Sequence, residues 1–156
     1  MNHLYFLQKT IDLAQESIEK GGGPFAAIIV DQQGKIVGVG QNSVTKSLDP
    51  TAHAEVEAIR QACKNLNSYQ LDNCTLYTSC EPCPMCLGAI YWARPAQVYY
   101  AATQKDAAAV GFDDAFIYEE IDKEYSDRTI PFHSLSILTK NKPFEVWSAY
   151  TNKVEY

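Results

Sequence analysis

Ser79-Cys80-Glu81-Pro82-Cys83-Pro84-Met85-Cys86, read together with Pro50-Thr51-Ala52-His53-Ala54-Glu55, decides how the rest of the chain is read. One histidine, one glutamate and two cysteines three positions apart make a His-x-Glu … Pro-Cys-x-x-Cys pattern. Both parts fall at helix starts. Asp49, Pro50 and Thr51 supply a polar cap and a first-turn proline ahead of the apolar series Val56, Ile59, Ala62, Cys63 and Leu66. Residues two apart on a regular helix point in different directions, so His53 and Glu55 can converge only near such a start. Pro84 takes a first helical position and leaves Cys83 at the N-terminus, where free amide groups and the helix dipole lower a thiol pKa.

An imidazole and two thiolates suit zinc. Three protein ligands leave a fourth tetrahedral position for water, the layout of a catalytic centre. Water held there has its pKa lowered to about 7, so hydroxide exists at neutral pH, and Glu55 is placed to carry its proton. Cys80 and Cys83 form a second Cys-x-x-Cys register. Cys83 and Cys86 are the preferred pair because a helix start can turn both sulfurs toward one point. Cys80 then reads as a buried neighbour, and Cys63 and Cys74 as core residues. The alternatives fit less well. A structural zinc knuckle would want a fourth thiolate or imidazole, and a thioredoxin-like redox pair would leave His53 and Glu55 without a task. His3 and His133 read as surface or core residues.

Outward from this centre, Leu4, Leu7, Ile11, Ala14 and Ile18 predict an amphipathic helix over residues 4–20, stopped by Gly21-Gly22-Gly23-Pro24. Phe25–Val30 and Lys35–Gly40 read as a hairpin around the turn Asp31-Gln32-Gln33-Gly34. Asn42 follows in a loop near the site. It is either a turn-forming residue or an amide that meets a base edge with both a donor and an acceptor. Thr75–Ser79 and Gln97–Ala101 predict strands, Met85–Arg94 a helix closed by Pro95, and Asp106–Val110 a short helix. A further helix is expected from Phe112 to about Asp122, a fifth strand within Pro131–Leu138, and a last helix from about Lys142 to the end with Trp147 and Tyr150 on its buried side. Strands alternating with helices predict a three-layer α/β/α sandwich on a mixed five-stranded sheet, one domain over residues 1–156.

The apolar fraction of 46% is that of a folded globular chain. A net charge of −6 argues against life on nucleic acid, which asks for clustered Lys and Arg, and favours a small neutral substrate. No stretch approaches the roughly 18 apolar residues of a membrane span. Met1–Lys20 lacks the basic start and unbroken apolar run of a signal peptide. Five cysteines, an odd number, with Cys83 and Cys86 in the preferred Cys-x-x-Cys, point to a reducing, cytoplasmic setting.

The His-x-Glu and Pro-Cys-x-x-Cys blocks are the signature of the zinc-dependent nucleobase deaminases. Through the blocks Asp49–Glu55, Leu76–Ala93 and Gly111–Tyr118, the chain resembles the cytidine deaminase superfamily, and most of all its guanine deaminases. The run Tyr91-Trp92-Ala93, the Phe112-Asp113-Asp114 block and the terminal Glu155-Tyr156 point to guanine. The resemblance implies a cytidine deaminase-like fold and one Zn2+ per chain on His53, Cys83 and Cys86. It further implies Glu55 as proton shuttle, Asp114 as a second acid contacting the substrate, Asn42 bonding the base, and Tyr156 closing the pocket. A homodimer with exchanged C-terminal segments is part of the same expectation, with no nucleic acid or membrane partner. The competing activities are guanosine deamination and tRNA adenosine deamination. The non-enzymatic alternative is a zinc-stabilised binding module.

Overall fold

A computed structural model describes all residues, 1–156. The chain divides into two compact units, Met1–Phe116 and Ile117–Tyr156.

The first unit is built on a sheet of order β2-β1-β3-β4, with β1 Ala26–Val30, β2 Ile36–Gln41, β3 Thr75–Cys80 and β4 Gln97–Ala102. β1 runs antiparallel to both of its neighbours, and β3 and β4 are parallel. Ala-Ala-Ile-Ile-Val of β1 is buried at every position, as a central strand covered on both faces requires. Side chains alternate across the sheet. Ile28, Val30 and Tyr77 face one way, against Phe6 of α1 (His3–Glu19), while Ala27, Ile29 and Leu76 face the other. That second face carries α3 (Ala54–Leu66) and Ile90 and Ala93 of α4 (Pro84–Ala93). The three layers predicted from the alternating elements are therefore present.

α3 lies close on β2 because both partners are small. A β-carbon on Gly40 would overlap the backbone of Ala54 and Ala58, and Ala54, Ala58 and Ala62 are all fully buried. Small residues thus draw the start of α3, with His53 and Glu55, onto the sheet. α2 (Val44–Ser47), a single turn unforeseen in the sequence, fills the connection from β2 to α3. α5 spans Gln104–Ala108, two residues earlier than expected, because Thr103 and Asp106 form a reciprocal capping box there.

The sheet has four strands, not five. Residues 131–138 adopt no strand: their alternating pattern would place side chains on two faces, but the segment forms no ladder to satisfy its backbone. α6 (Ala115–Asp122) begins at Ala115 rather than Phe112, and just ahead of it the Asp113 carboxylate accepts the Ala115 amide in a turn. α7 covers Lys142–Ala149 and stops short of the end. Trp147 and Tyr150 are exposed at 42% and 53%, against the expectation of a buried side. No residue from 117 to 156 is buried. No helix is long and apolar enough to cross a membrane.

Candidate active site

Two helix N-termini meet at one point beside the end of β3. His53 is the N-cap residue of α3 and Cys83 that of α4. Cys83 takes this position because Pro84 follows it, pre-set for a first helical residue. Cys83 Sγ also accepts the Cys86 amide at 3.5 Å. One helical turn on, Cys86 is fully buried. His53 Nδ1 lies 3.5 Å from Cys83 Sγ and 3.6 Å from Cys86 Sγ, and the three ligand atoms fall within 4.8 Å of one another. Zn–S bonds of about 2.3 Å and Zn–N bonds of about 2.0–2.1 Å at tetrahedral angles place N and S roughly 3.6 Å apart. The donor set and its spacing fit one zinc ion, as read from the sequence. Cys80 is not among the ligands. Its thiol donates to the Thr103 carbonyl at 3.5 Å, and burial pushes its pKa up to about 11.

Without a metal the cluster shares its charge unequally. The hydrogen bond from Cys86, then that of His53, draws the Cys83 thiol down to about 4 in spite of its desolvation. Cys86 moves the other way, because it supplies the proton to Cys83 and is itself desolvated. His53 is raised, chiefly by its bond to Cys83. Zinc binds neutral imidazole and thiolates, so seating it here displaces the Cys86 proton and takes His53 in its neutral form, while Cys83 is already drawn toward thiolate.

Glu55 is 6% exposed and sits against this cluster, with Cys86 Sγ donating to its Oε2 at 3.3 Å. Its other oxygen, Oε1, accepts Thr78 Oγ1 at 3.0 Å. Burial raises its pKa above the usual carboxylate value, which favours a group that must take up and give back a proton near neutrality. Sequence reading missed Thr78. Its signal was the alternation of β3: Thr78 lies two residues after Leu76 and so shares the face that carries α3.

The cluster opens into a cavity of about 550 Å³. Asn42 and Asp114 both line it, alongside His53, Glu55 and Cys83, so the expected residues of the first unit are brought together. Burial raises the pKa of Asp114. Phe25 and Phe112, also lining the cavity, stand edge to face with centroids 5.0 Å apart. Neither was singled out in the sequence as a cavity wall. Glu81 anchors the entry to α5 by accepting the Gln104 amide at 3.1 Å. Glu55, Glu81, Asp113 and Asp114 line the cavity together, and no Lys or Arg does. Tyr156 belongs to the second unit and is 73% exposed.

The family described as "Cytidine and deoxycytidylate deaminase zinc-binding region" matches residues 1–102. Among curated proteins the chain is 60% identical over 157 residues to a guanine deaminase of Bacillus subtilis, covering 100% of both chains. The fold is similar to the crystal structure of guanine deaminase from Bacillus subtilis, with a TM-score of 0.98, 60% identity and coverage of 100% of this chain and 99% of that one. A tRNA-specific adenosine deaminase of Aquifex aeolicus is 42% identical over 110 residues, which cover 70% of this chain and 72% of that protein. The α/β fold is thus cytidine deaminase-like, as the three sequence blocks implied. The chain belongs to the cytidine and deoxycytidylate deaminase zinc-binding family.

Proposed function

We propose that this protein hydrolyses guanine to xanthine and ammonia, with one zinc ion held by His53, Cys83 and Cys86. The observation that carries the substrate is the likeness to the guanine deaminase of Bacillus subtilis, which extends over the whole of both chains. A zinc ion seated here supplies a Lewis acid that makes water nucleophilic at neutral pH.

This chain's own residues supply the rest. Glu55 takes the proton of the attacking water, passes it to the ring nitrogen beside the aminated carbon, and then helps protonate the departing amine. Thr78 holds one Glu55 oxygen and so fixes the carboxylate. Asp114 accepts from the exocyclic amine and ring N–H of guanine, both donors, and Asn42 bonds the base through its amide. Phe25 and Phe112, packed edge to face, give the cavity apolar surface for a planar base.

The carboxylate-lined cavity supports a neutral substrate and disfavours phosphate-bearing ones, so it weighs against tRNA as substrate. On this reading residues 1–156 act as one deaminase domain in the cytoplasm. The protein functions as a homodimer with exchanged C-terminal segments, Tyr156 closing the site. Two observations support the dimer. Tyr91 and Trp92 on α4 are exposed at 75% and 63%, and no residue from 117 to 156 is buried in the single chain. Apolar surface on this scale is what association covers.

Ammonia release from guanine, guanosine, adenosine-containing tRNA and cytidine in parallel tests the reading. Turnover of guanine alone is expected. Activity on another substrate with none on guanine would keep the zinc chemistry and reject the base. A zinc-loaded protein silent on all four would favour a binding module. A single-chain mass by light scattering would reject the dimer.

A further inference from the structure

Three glycines follow α1, and they are glycine for different reasons. Gly21 adopts φ +80°, the left-handed region that ends a helix without a side-chain penalty. Gly22 and Gly23 have no such torsion; what they provide is space. A β-carbon on Gly23 would stand 3.1 Å from both Cγ and Oδ1 of Asn42. One on Gly22 would overlap the Asn42 carbonyl oxygen and lie 2.5 Å from Ser17 Oγ.

Further contacts tie the same corner. Ser17, 2% exposed on α1, donates its hydroxyl to the Asn42 carbonyl at 3.5 Å. Thr45 donates to the Gly21 carbonyl at 3.3 Å, and the Asn42 amide N–H donates to the Phe25 carbonyl at 3.0 Å. The Val44 main-chain N–H reaches Asn42 Oδ1 at 3.4 Å. A main-chain N–H can only donate, so this contact fixes which end of the side-chain amide is oxygen. The NH2 end makes no hydrogen bond within the chain, and the residue lines the cavity.

We propose that Ser17, Gly22 and Gly23 are positioning residues that set the Asn42 amide, so that its NH2 group donates to an acceptor on the edge of the bound base. The inference rests on the guanine reading above, because it specifies how one residue of that site is held. Guanine offers acceptors in its carbonyl oxygen and ring nitrogens. A methyl group at position 23 displaces the amide by a few tenths of an ångström or rotates it, and alignment errors of this order are costly in an oriented site.

A double-mutant cycle on kcat/KM for guanine tests this, using wild type, Gly23→Ala, Asn42→Ala and the double variant, each checked for zinc content and thermal unfolding. Gly23→Ala is expected to lose about tenfold in the wild-type background and to cost less than about twofold once Asn42 is already alanine. The same factor in both backgrounds, or no loss in wild type, would overturn the proposal, because damage to the helix exit alone acts whether or not the amide is present. Should Gly23→Ala not fold, Ser17→Ala, which adds no atoms, takes its place in the same cycle with the same criterion. A wild-type protein without guanine turnover would reject the functional reading and this inference with it; an active wild type with additive losses rejects the inference alone.

Discussion

Met1–Phe116 and Ile117–Tyr156 handle similar apolar residues in opposite ways. In the first unit Ile28, Ile29, Val30 and Leu76 are wholly inside. In the second, Leu135, Ile137 and Leu138 stand at 81%, 61% and 107% exposure. Apolar composition therefore does not itself make a core. A core forms where strand alternation and small residues such as Gly40 and Ala58 let two layers close on each other. The first unit holds its zinc ligands and Glu55 on such a frame. The second carries surface that the single chain leaves uncovered, and the proposed dimer is what makes use of it.

The largest effect that probes this division is chemical. Glu55→Gln keeps the volume and the Thr78 partner but cannot carry a proton. It is expected to lower kcat by about 10²–10⁴-fold while leaving zinc near one per chain by metal analysis. Wild-type kcat in that variant would remove Glu55 from the mechanism. Next comes the core. Ile29→Ala opens a void at a fully buried position and is expected to cost about 2–5 kcal/mol in urea unfolding. Ile137→Ala, the same change on exposed surface, is expected to leave the single chain within about 0.5 kcal/mol and to act on dimer dissociation instead. Equal costs in the two units would break the comparison. Removing residues 154–156 should lower kcat/KM for guanine with zinc retained, and unchanged kinetics would exclude Tyr156 as a closing group.

The smallest effect is local to the second unit. Glu120 accepts from Lys123 Nζ at 2.6 Å and from the Thr129 amide at 2.7 Å, and its pKa falls from 4.5 to about 2, chiefly through the Lys123 bond. A carboxylate lowered on folding stabilises fully above its unfolded value, and that stability is lost as pH falls from about 4.5 toward 2. Both partners are near the surface, so the effect is small and screened by salt. The protection factor of the Thr129 amide, referred to its intrinsic exchange rate at each pH, should fall over this window, and Glu120→Gln should abolish the dependence.

How much could be read from the chain follows the same division. The His53, Cys83 and Cys86 cluster was legible because metal ligation demands particular atoms at helix starts, which Asp49-Pro50-Thr51 and Pro84 mark, and the structure brings Glu55 against it. The parts set by packing were not. Thr78 and Phe25 are ordinary strand-region residues until the sheet faces are assigned. Gly22 and Gly23 read as helix stops, although what sets them is the approach of Asn42. The segment at 131–138 read as a strand because alternation records side-chain preference, whereas a strand exists only when its backbone finds a neighbour.

The most direct test of the account is deamination of guanine by the zinc-loaded protein in 18O-labelled water, with the purine product analysed by mass spectrometry alongside ammonia. Hydrolysis at this site predicts xanthine carrying one 18O atom at the carbon that lost its amine, with one ammonia per xanthine. Xanthine without label, or no xanthine from protein that holds its zinc, would contradict it.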